Sequence, residues 1–421
     1  MDIKKLYAQY DAFKSRGLHL DMSRGKPCTE QLNLSEPVLH ALDGRSDYLA
    51  EDGIDVRNYG AYLGVPEARR LFGEIFELPM EQVIVGGNSS INLIHDALTR
   101  AFINGPMPGD TPWGKLDKVR FLIPVPAYDW HIHICETFGI EPVPVPMDEF
   151  GPDMDTVEEL VKDPLVKGLL CTPMYSNPTG VTFSDRVVER LAAMKTAAPD
   201  FRIFWDNAYS VHHLYPDKRD HLANIYEACV RYGHEDRVYL FGSTSKITFP
   251  GGGIAAMAGS PATVKRQGDL LQYQLVCYNK INQLRHAVYF PNKAAVERHM
   301  EKHAAIIRPK FDCVCDTLAR EVADIASWHK PLGGYFVCFY TKEPDCAKRI
   351  VELCQEAGVK LTPAGAQFPG GVDEYDNMLR LAPTYPPIHE LEQAMELFCI
   401  AVKIATLEAQ GAEGARKQAL N

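Results

Sequence analysis

One lysine in this sequence stands in a setting that suits covalent chemistry. Lys246 follows the apolar run Tyr239-Leu-Phe-Gly242 and precedes the turn Pro250-Gly-Gly-Gly253. A strand that ends in small hydroxyl residues fixes a lysine in place and leaves room for a flat ring against the backbone. Such a lysine can form a Schiff base with an aldehyde cofactor. Most lysines near serine and glycine are solvated loop residues, so this segment alone does not establish a catalytic role.

Polar side chains follow two further apolar runs. Asn177 comes after the run 166–170, and both Asp206 and Tyr209 come after the run 201–205. The carboxyl ends of parallel strands meet at one edge of a sheet, so we expect these side chains to lie together. Asp206 is the most informative, because a buried carboxylate is costly unless it is paired. The alternatives are a plain turn at Asn177 and a helix cap at Asp206.

A third segment has the features of an anion site. Gly86-Gly-Asn-Ser-Ser90 joins an apolar run, 82–85, to a segment with helical spacing of its apolar residues. The free N–H groups of a helix start, together with two hydroxyls, can bind a phosphate. An ordinary N-cap is the alternative, and the segment does not match a Walker A loop.

The elements that carry these residues alternate between strand and helix. Between about residues 80 and 260, short apolar runs are separated by helical patterns, which predicts a parallel sheet covered by helices on both faces. The prolines at 142, 144 and 146 place their segment at an edge or in a connection. We therefore predict an α/β fold with a large domain, residues 46–289, whose mostly parallel sheet is sandwiched by helices. Residues 1–45 and 290–421 are predicted to form a smaller α+β domain.

Composition narrows the class of protein. The 421 residues include 44 basic and 55 acidic side chains, for a net charge of −11, and no basic run that would bind nucleic acid. We expect no membrane segment and a cytoplasmic protein, because neither a signal peptide nor an apolar stretch of 18 residues is present. The eleven cysteines are scattered and predict no metal site. His131 and His133 are interpreted as surface or satisfied histidines.

Eight motifs together carry a family resemblance. In order they are Tyr59-x4-Gly64, Gly87-Asn-Ser-Ser90, Pro126-Ala-Tyr128, Asn177-Pro-Thr-Gly180, Asp206-x-Ala-Tyr209, Ser243-x-x-Lys246, Pro331-x-Gly-Gly-x-Phe336 and Arg380-Leu381. This series resembles the fold-type I pyridoxal-phosphate aminotransferases over nearly the whole chain. The segments 20–27, 242–249 and 282–286 are similar to the bacterial type Ic aspartate aminotransferases.

The resemblance implies roles around one cofactor, pyridoxal 5′-phosphate. Lys246 would hold it as a Schiff base and, once released, would carry a proton to and from the substrate. Asp206 would pair with the ring nitrogen, Asn177 and Tyr209 would bond the phenolic oxygen, and Tyr128 would stack on the ring. Phosphate contacts are implied at Asn88, Ser89, Ser90, Ser243 and Ser245. Tyr59 would reach the phosphate of the neighbouring subunit, which implies a homodimer with shared active sites.

Substrate residues follow from the same resemblance. Arg380 would bind the α-carboxylate, with Asn177 beside it and Gly25 allowing close approach. For the distal carboxylate of aspartate, the resemblance favours Arg285, at a position where relatives place an arginine that often serves the partner subunit's site, over Lys26. Many relatives carry a phosphate-binding arginine after the lysine, whereas this chain has Gly251-Gly-Gly253. Backbone N–H groups of that turn could replace it, and we predict that Val at position 252 or 253 weakens cofactor retention.

The resemblance implies transfer of an amino group from an amino acid to a 2-oxo acid. L-aspartate and 2-oxoglutarate are the favoured pair. The alternatives are another amino-acid specificity, such as aromatic donors, or a lyase such as a C–S lyase. A non-catalytic effector-binding module is the third possibility.

Overall fold

A computed structural model describes residues 2–45 and 47–419 of the chain. The helices are α1 (Ile3–Lys14), α2 (Thr29–Leu34), α3 (Pro66–Phe76), α4 (Ser90–Asn104), α5 (Asp129–Thr137), α6 (Met154–Leu160), α7 (Asp185–Ala193), α8 (Ile225–Arg231), α9 (Pro261–Gln274), α10 (Lys280–Tyr289), α11 (Lys293–Glu321), α12 (Ala347–Glu356) and α13 (Ile388–Ala419). The strands are β1 (Leu20–Asp21), β2 (Val83–Val85), β3 (Arg120–Val125), β4 (Glu141–Asp148), β5 (Gly151–Pro152), β6 (Val166–Cys171), β7 (Arg202–Asp206), β8 (Val238–Ser243), β9 (Ala255–Ala258), β10 (Ala326–Trp328), β11 (Val337–Thr341), β12 (Val359–Lys360) and β13 (Met378–Leu381).

An eight-stranded sheet forms the centre of the larger part. Its order is β2-β9-β8-β7-β6-β3-β4-β5, and the five strands from β8 to β4 run parallel to their neighbours in that series. The strand β9 is antiparallel to both β8 and β2. The predicted α/β class, with a mostly parallel sheet, is confirmed.

Both faces of this sheet are buried, which explains why its strands are continuously apolar. Side chains alternate along a strand, so Ile203 and Trp205 of β7 lie in one core while Phe204 lies in another. The first core also contains apolar residues of α3, α7 and α8, and the second contains those of α4 and α5. The helices therefore cover the sheet from two sides.

The proline-rich strand β4 lies near an edge of the sheet, as its prolines predicted. Along residues 141–146, β4 pairs only with β3, and β5 joins it only at Met147 and Asp148. A proline has no N–H for a second ladder, so this segment can form a sheet edge but not a central strand.

A third hydrophobic core forms the centre of the smaller part. It is built from α1, α11, α12, α13 and the antiparallel sheet β10-β11-β13. The short strand β1 pairs with β12, which ties the N-terminal segment to the chain near residue 360. The separate cores support a division into residues 46–289 and the remainder, which stays a proposal; position 46 lies outside the described residues.

Three further observations concern classes of protein. No helix in the described part of the chain is both long and apolar enough to cross a membrane. Over the same residues, no group of three metal-ligating side chains is found. All eleven cysteines are free, and nine of them are buried.

Candidate active site

The carboxyl ends of β6, β7 and β8 open into one cleft. A cavity of about 1010 Å³ lies there, between the large sheet and the segments that surround β1 and β13. Its lining includes six predicted site residues: Gly25, Lys26, Tyr128, Asn177, Tyr209 and Lys246. Arg380 lines it from β13. Distant parts of the sequence thus meet at the sheet edge where α/β proteins bind ligands.

Asp206 ends β7 and is only 2% exposed. Its Oδ2 lies 3.1 Å from His131 Nε2 on α5, which is itself buried. Its Oδ1 is buried and has no hydrogen-bond partner among the described residues. A buried carboxylate oxygen without a partner is costly, and a protonated ring nitrogen would satisfy it. Asp206 is therefore not a helix cap, and His131 is the histidine that holds it.

Lys246 keeps part of its surface open to the cleft. Its Nζ lies 5.1 Å from the centre of the Tyr209 ring. Desolvation by the surrounding protein lowers the pKa of Lys246; the carboxylate of Asp206 opposes that shift and the charge of Arg380 adds to it. A lysine with a lowered pKa is more often neutral, and the neutral amine is the form that acts as nucleophile and base.

Two tyrosines flank this lysine and aspartate. Burial raises the pKa of Tyr209 well above its usual value. Burial also raises the pKa of Tyr128, with a further contribution from the charge of Asp129. Both phenols therefore stay protonated and can donate hydrogen bonds. The Tyr128 ring packs edge-on against His131, 5.1 Å between centres.

The phosphate residues predicted from the sequence converge at the start of α4. Ser89 is the N-cap, but its hydroxyl makes no capping bond. The hydroxyl of Ser245 donates to the Asn88 carbonyl at 3.0 Å, and the hydroxyl of Ser243 donates to Ser245 Oγ at 3.0 Å. Ser90 is the first, buried residue of the helix. Hydroxyls and helix N–H groups are therefore grouped at one helix N-terminus, which suits a phosphate.

The glycine turn adjoins this group. The Asn88 side chain donates to the Pro250 carbonyl at 3.1 Å. Asn282 on α10 donates to the carbonyls of Gly252 and Gly253, at 3.0 and 2.9 Å. Arg285 Nη2 in turn donates to Asn282 Oδ1 at 2.5 Å. Arg285 lines a separate cavity of about 310 Å³ beside Asn88 and the turn, so within one chain it lies outside the cleft that holds Arg380.

Arg380 on β13 is 6% exposed and well anchored. Its Nη1 donates to Asn177 Oδ1 at 3.2 Å and to Asp129 Oδ1 at 3.3 Å. Its Nη2 donates to Thr362 Oγ1 at 3.2 Å and to the Ser23 carbonyl at 3.5 Å. Sequence reasoning missed these partners apart from Asn177. Asp129 directly follows a motif residue, Tyr128, and that adjacency was the available signal.

The remaining predicted residues lie in different places. Lys26 lines the cleft with its Nζ 3.7 Å from the Tyr385 ring centre. Gly25 is packed so closely that an added Cβ would lie 2.3 Å from the ring of Phe336. That ring lies 4.9 Å from the Arg380 guanidinium. Tyr59 is 75% exposed and is absent from the lining of this cleft.

Comparison with known proteins bears on the same chemistry. The sequence model of the family described as aspartate amino-transferase matches residues 2–413. An aspartate aminotransferase of Corynebacterium glutamicum is 43% identical over 412 residues, which cover 97% of this chain and 93% of that protein. A solved aspartate transaminase from the same species superposes with a TM-score of 0.93 at 42% identity, covering 96% of both chains. An aromatic-amino-acid aminotransferase of Thermococcus litoralis is 25% identical over 78% of this chain and 75% of its own length.

The geometry and the comparisons agree on the cofactor. The unpartnered Asp206 oxygen, the lysine of lowered pKa and the hydroxyls at the α4 start fit the ring nitrogen, the aldehyde and the phosphate of pyridoxal phosphate. The chain belongs to the aspartate aminotransferase family and is a pyridoxal-phosphate-dependent aminotransferase.

Proposed function

We propose that this aminotransferase moves the amino group between L-aspartate and 2-oxoglutarate. The observation that carries the proposal is the convergence of Lys246 and Arg380 in one cleft, with buried Asp206 close enough for its charge to act on Lys246. The 43% identical relative is named an aspartate aminotransferase, and that name supports aspartate as the amino donor.

The residues that would hold pyridoxal phosphate surround the lysine. Asp206 would bind the ring nitrogen, while Asn177 and Tyr209 would donate to the phenolic oxygen. Hydroxyls at the α4 start would hold the phosphate. When bound, the cofactor supplies an electron sink for the pair left behind as the substrate α carbon loses its proton.

Lys246 moves that proton. Because burial lowers its pKa, a neutral Nζ is available to accept the proton from the substrate α carbon. The same nitrogen, once protonated, donates the proton back. The carboxylate of Asp206 favours the charged form of Lys246 and limits the shift, so the amine can cycle between both forms.

Arg380 orients the substrate. Its guanidinium is held by Thr362 and Asn177 and has the planar fork that binds a carboxylate through two hydrogen bonds. A fixed α-carboxylate places the α carbon at a constant distance from Lys246, which reduces the entropy cost of proton transfer.

For the distal carboxylate, we now favour Lys26 over Arg285. Lys26 lines the same cleft as Arg380 in the same chain, whereas Arg285 lies beside the glycine turn. Arg285 could still serve the cleft of a partner subunit. Steady-state rates with 2-oxoglutarate and a panel of amino donors separate these possibilities.

Aspartate should give the highest kcat/KM of the panel. The Lys26→Met change should lower kcat/KM for aspartate by about tenfold to a hundredfold, and for alanine much less, since only aspartate carries a second carboxylate. The matched variant Arg285→Leu should affect both donors alike. A loss confined to aspartate in Arg285→Leu would instead assign the distal carboxylate to the partner subunit's arginine.

Aromatic amino acids are the second candidate donors, because the Thermococcus litoralis relative is named an aromatic-amino-acid aminotransferase. A higher kcat/KM for phenylalanine or tyrosine than for aspartate would establish it. Release of pyruvate or ammonia without a 2-oxo acid would indicate a lyase.

The proposal includes a homodimer. Exposed apolar side chains lie along α9, α10 and the segment between them, at Tyr273, Val276, Ile281 and Val288. Lys280 on α10 donates to the carbonyl of Asn58, so exposed Tyr59 lies next to this surface. Exposed apolar patches mark association sites, which supports pairing of two chains here. The cytoplasmic location stays a prediction from the sequence.

A further inference from the structure

Arg380 is partnered by a carboxylate of its own chain. Among the described residues, Asp129 supplies the only ion pair to this guanidinium, at 3.3 Å from Nη1. The other partners, Asn177, Thr362 and the Ser23 carbonyl, are neutral. A buried guanidinium needs a counter-charge, so Asp129 stabilises the Arg380 fork.

Asp129 is also the partner that can leave. Its side chain is 21% exposed, against 6% for Arg380, and it lines the cleft. It is the first residue of the nine-residue helix α5, whose N-cap, Tyr128, makes no side-chain capping bond. A carboxylate in the first turn of a helix is stabilised by the free N–H groups there. The start of α5 therefore stabilises the Asp129 carboxylate independently of the guanidinium.

We propose that Asp129 is a built-in competitor of the substrate carboxylate at Arg380. Its carboxylate holds the fork when the cleft is free of substrate and is displaced when an amino acid or 2-oxo acid binds. Asp129 thereby sets the affinity for both substrates and assists the departure of the product. This inference rests on the proposed role of Arg380 as the α-carboxylate fork.

The consequence is a specific pattern in kinetics. Competition for the fork weakens substrate and transition state equally, so it raises KM and leaves kcat nearly unchanged. Removal of the Asp129 charge should therefore lower KM for aspartate and for 2-oxoglutarate by the same factor. A residue that merely orients Arg380 would act in the opposite direction, because its loss would raise KM.

The test is the binding of succinate, an unreactive dicarboxylate, to the cofactor-loaded protein by calorimetry. Asp129→Asn should bind succinate about tenfold more tightly than wild type, a factor that corresponds to one charge-assisted contact. Asp129→Ser, which retains a good helix N-terminal residue, should change in the same direction. Asp185→Asn is the matched control, because Asp185 also begins a helix, α7, and is 72% exposed and remote from Arg380. It should stay within about twofold of wild type.

Equal or weaker succinate binding by both Asp129 variants would overturn the proposal, as would absence of binding by every protein. The proposed function is judged separately, by turnover of aspartate with 2-oxoglutarate in the wild type. A chain that turns over aspartate but shows no gain in Asp129→Asn would lose this inference and keep its function.

Discussion

At the scale of single residues, burial sets the chemical properties of the main site residues. One carboxylate oxygen of Asp206 forms a hydrogen bond with His131, and the other has no partner among the described residues. Desolvation lowers the pKa of Lys246. An unsatisfied anion and a neutral amine are both unfavourable by themselves. They occur together here because one cofactor satisfies both, and a lysine of lowered pKa in a cleft is typical of an active site.

The first prediction concerns the charge of Asp206. Asp206→Asn retains the shape of the side chain and its contact with His131 but removes the anion that favours a protonated ring nitrogen. We expect kcat to fall by about a hundredfold to a thousandfold, the usual loss when one preorganised charge is removed. Steady-state kinetics at saturating cofactor would measure it. A kcat within threefold of wild type would contradict the assignment.

Single residues also mark the limit of sequence reasoning. Lys246, Asp206 and Asn177 end strands, and strand ends can be recognised from the apolar runs before them. Asp129 and Thr362 have no such pattern, because their significance comes from contact with Arg380, which lies 251 residues from Asp129. A contact between distant segments depends on the folded arrangement, which local patterns do not encode.

At the scale of elements, the turn after β8 packs closely against the residues that are proposed to bind the phosphate. A Cβ on Gly253 would lie 2.7 Å from Thr244 Oγ1 and 2.9 Å from the Phe249 carbonyl, whereas one on Gly252 would meet only Phe249 at 3.8 Å. The N–H of Gly252 is already bonded to the Phe249 carbonyl. A side chain therefore fits at Gly252 but not at Gly253, although the sequence predicted the same effect of Val at both positions.

The second prediction uses this difference. Gly253→Val should displace the neighbouring Ser245 and speed cofactor loss by about tenfold, a moderate cost for a local backbone shift. Gly252→Val is the matched control and should retain cofactor within about twofold. Absorbance of the protein after dialysis measures retention. Equal retention by the two variants would count against a role for this packing.

Helix α11 carries a buried histidine pair that links the N-terminal segment to the lysine turn. Gln31 Oε1 accepts from the Cys28 N–H, so its amide nitrogen donates to His303 Nδ1 at 3.0 Å. His303 Nε2 lies 3.0 Å from His299 Nε2, which also lies 3.0 Å from the carbonyl oxygen of Ile247. Burial lowers the pKa of His303 to about 3, which fits a neutral ring in this chain of bonds.

The third prediction follows from that pKa. Between about pH 3 and 6.5, the unfolded chain protonates His303 and the folded chain does not, so the free energy of unfolding falls as pH drops below 6.5. His303→Gln keeps hydrogen bonding but removes the titration. It should reduce the pH slope by up to about 1.4 kcal/mol per unit. Urea unfolding at pH 5 and pH 7 measures the slope, and identical slopes would refute the assignment.

At the scale of the whole molecule, residue patterns predict the α/β architecture, whereas the homodimer is implied only by the family resemblance. Alternating apolar runs and helical patterns predict a mostly parallel sheet covered by helices. An exposed residue such as Tyr59 gives no comparable signal, because its proposed contact lies in another chain. Arg285 likewise gives no such signal, because a contact with the cleft of a partner subunit would also lie in another chain.

The fourth prediction tests shared active sites. Lys246→Ala and Tyr59→Phe should each be defective, the first in catalysis and the second in cofactor retention. In a mixed dimer, one site receives both changes and the other receives neither. Co-expression with two tags should therefore restore up to half of wild-type activity. Tyr375→Phe, which changes another exposed tyrosine, is the control. A mixed dimer no more active than its parents would argue for sites built from one chain.

The central claim is that Lys246 carries the cofactor. Borohydride reduction of the pyridoxal-phosphate-loaded protein, followed by mass spectrometry of its peptides, tests it most directly, because reduction makes a lysine linkage permanent. The account predicts a phosphopyridoxyl group on the peptide that contains Lys246, and none anywhere in Lys246→Ala. A label on another lysine, or an unlabelled protein that still turns over aspartate, would contradict it.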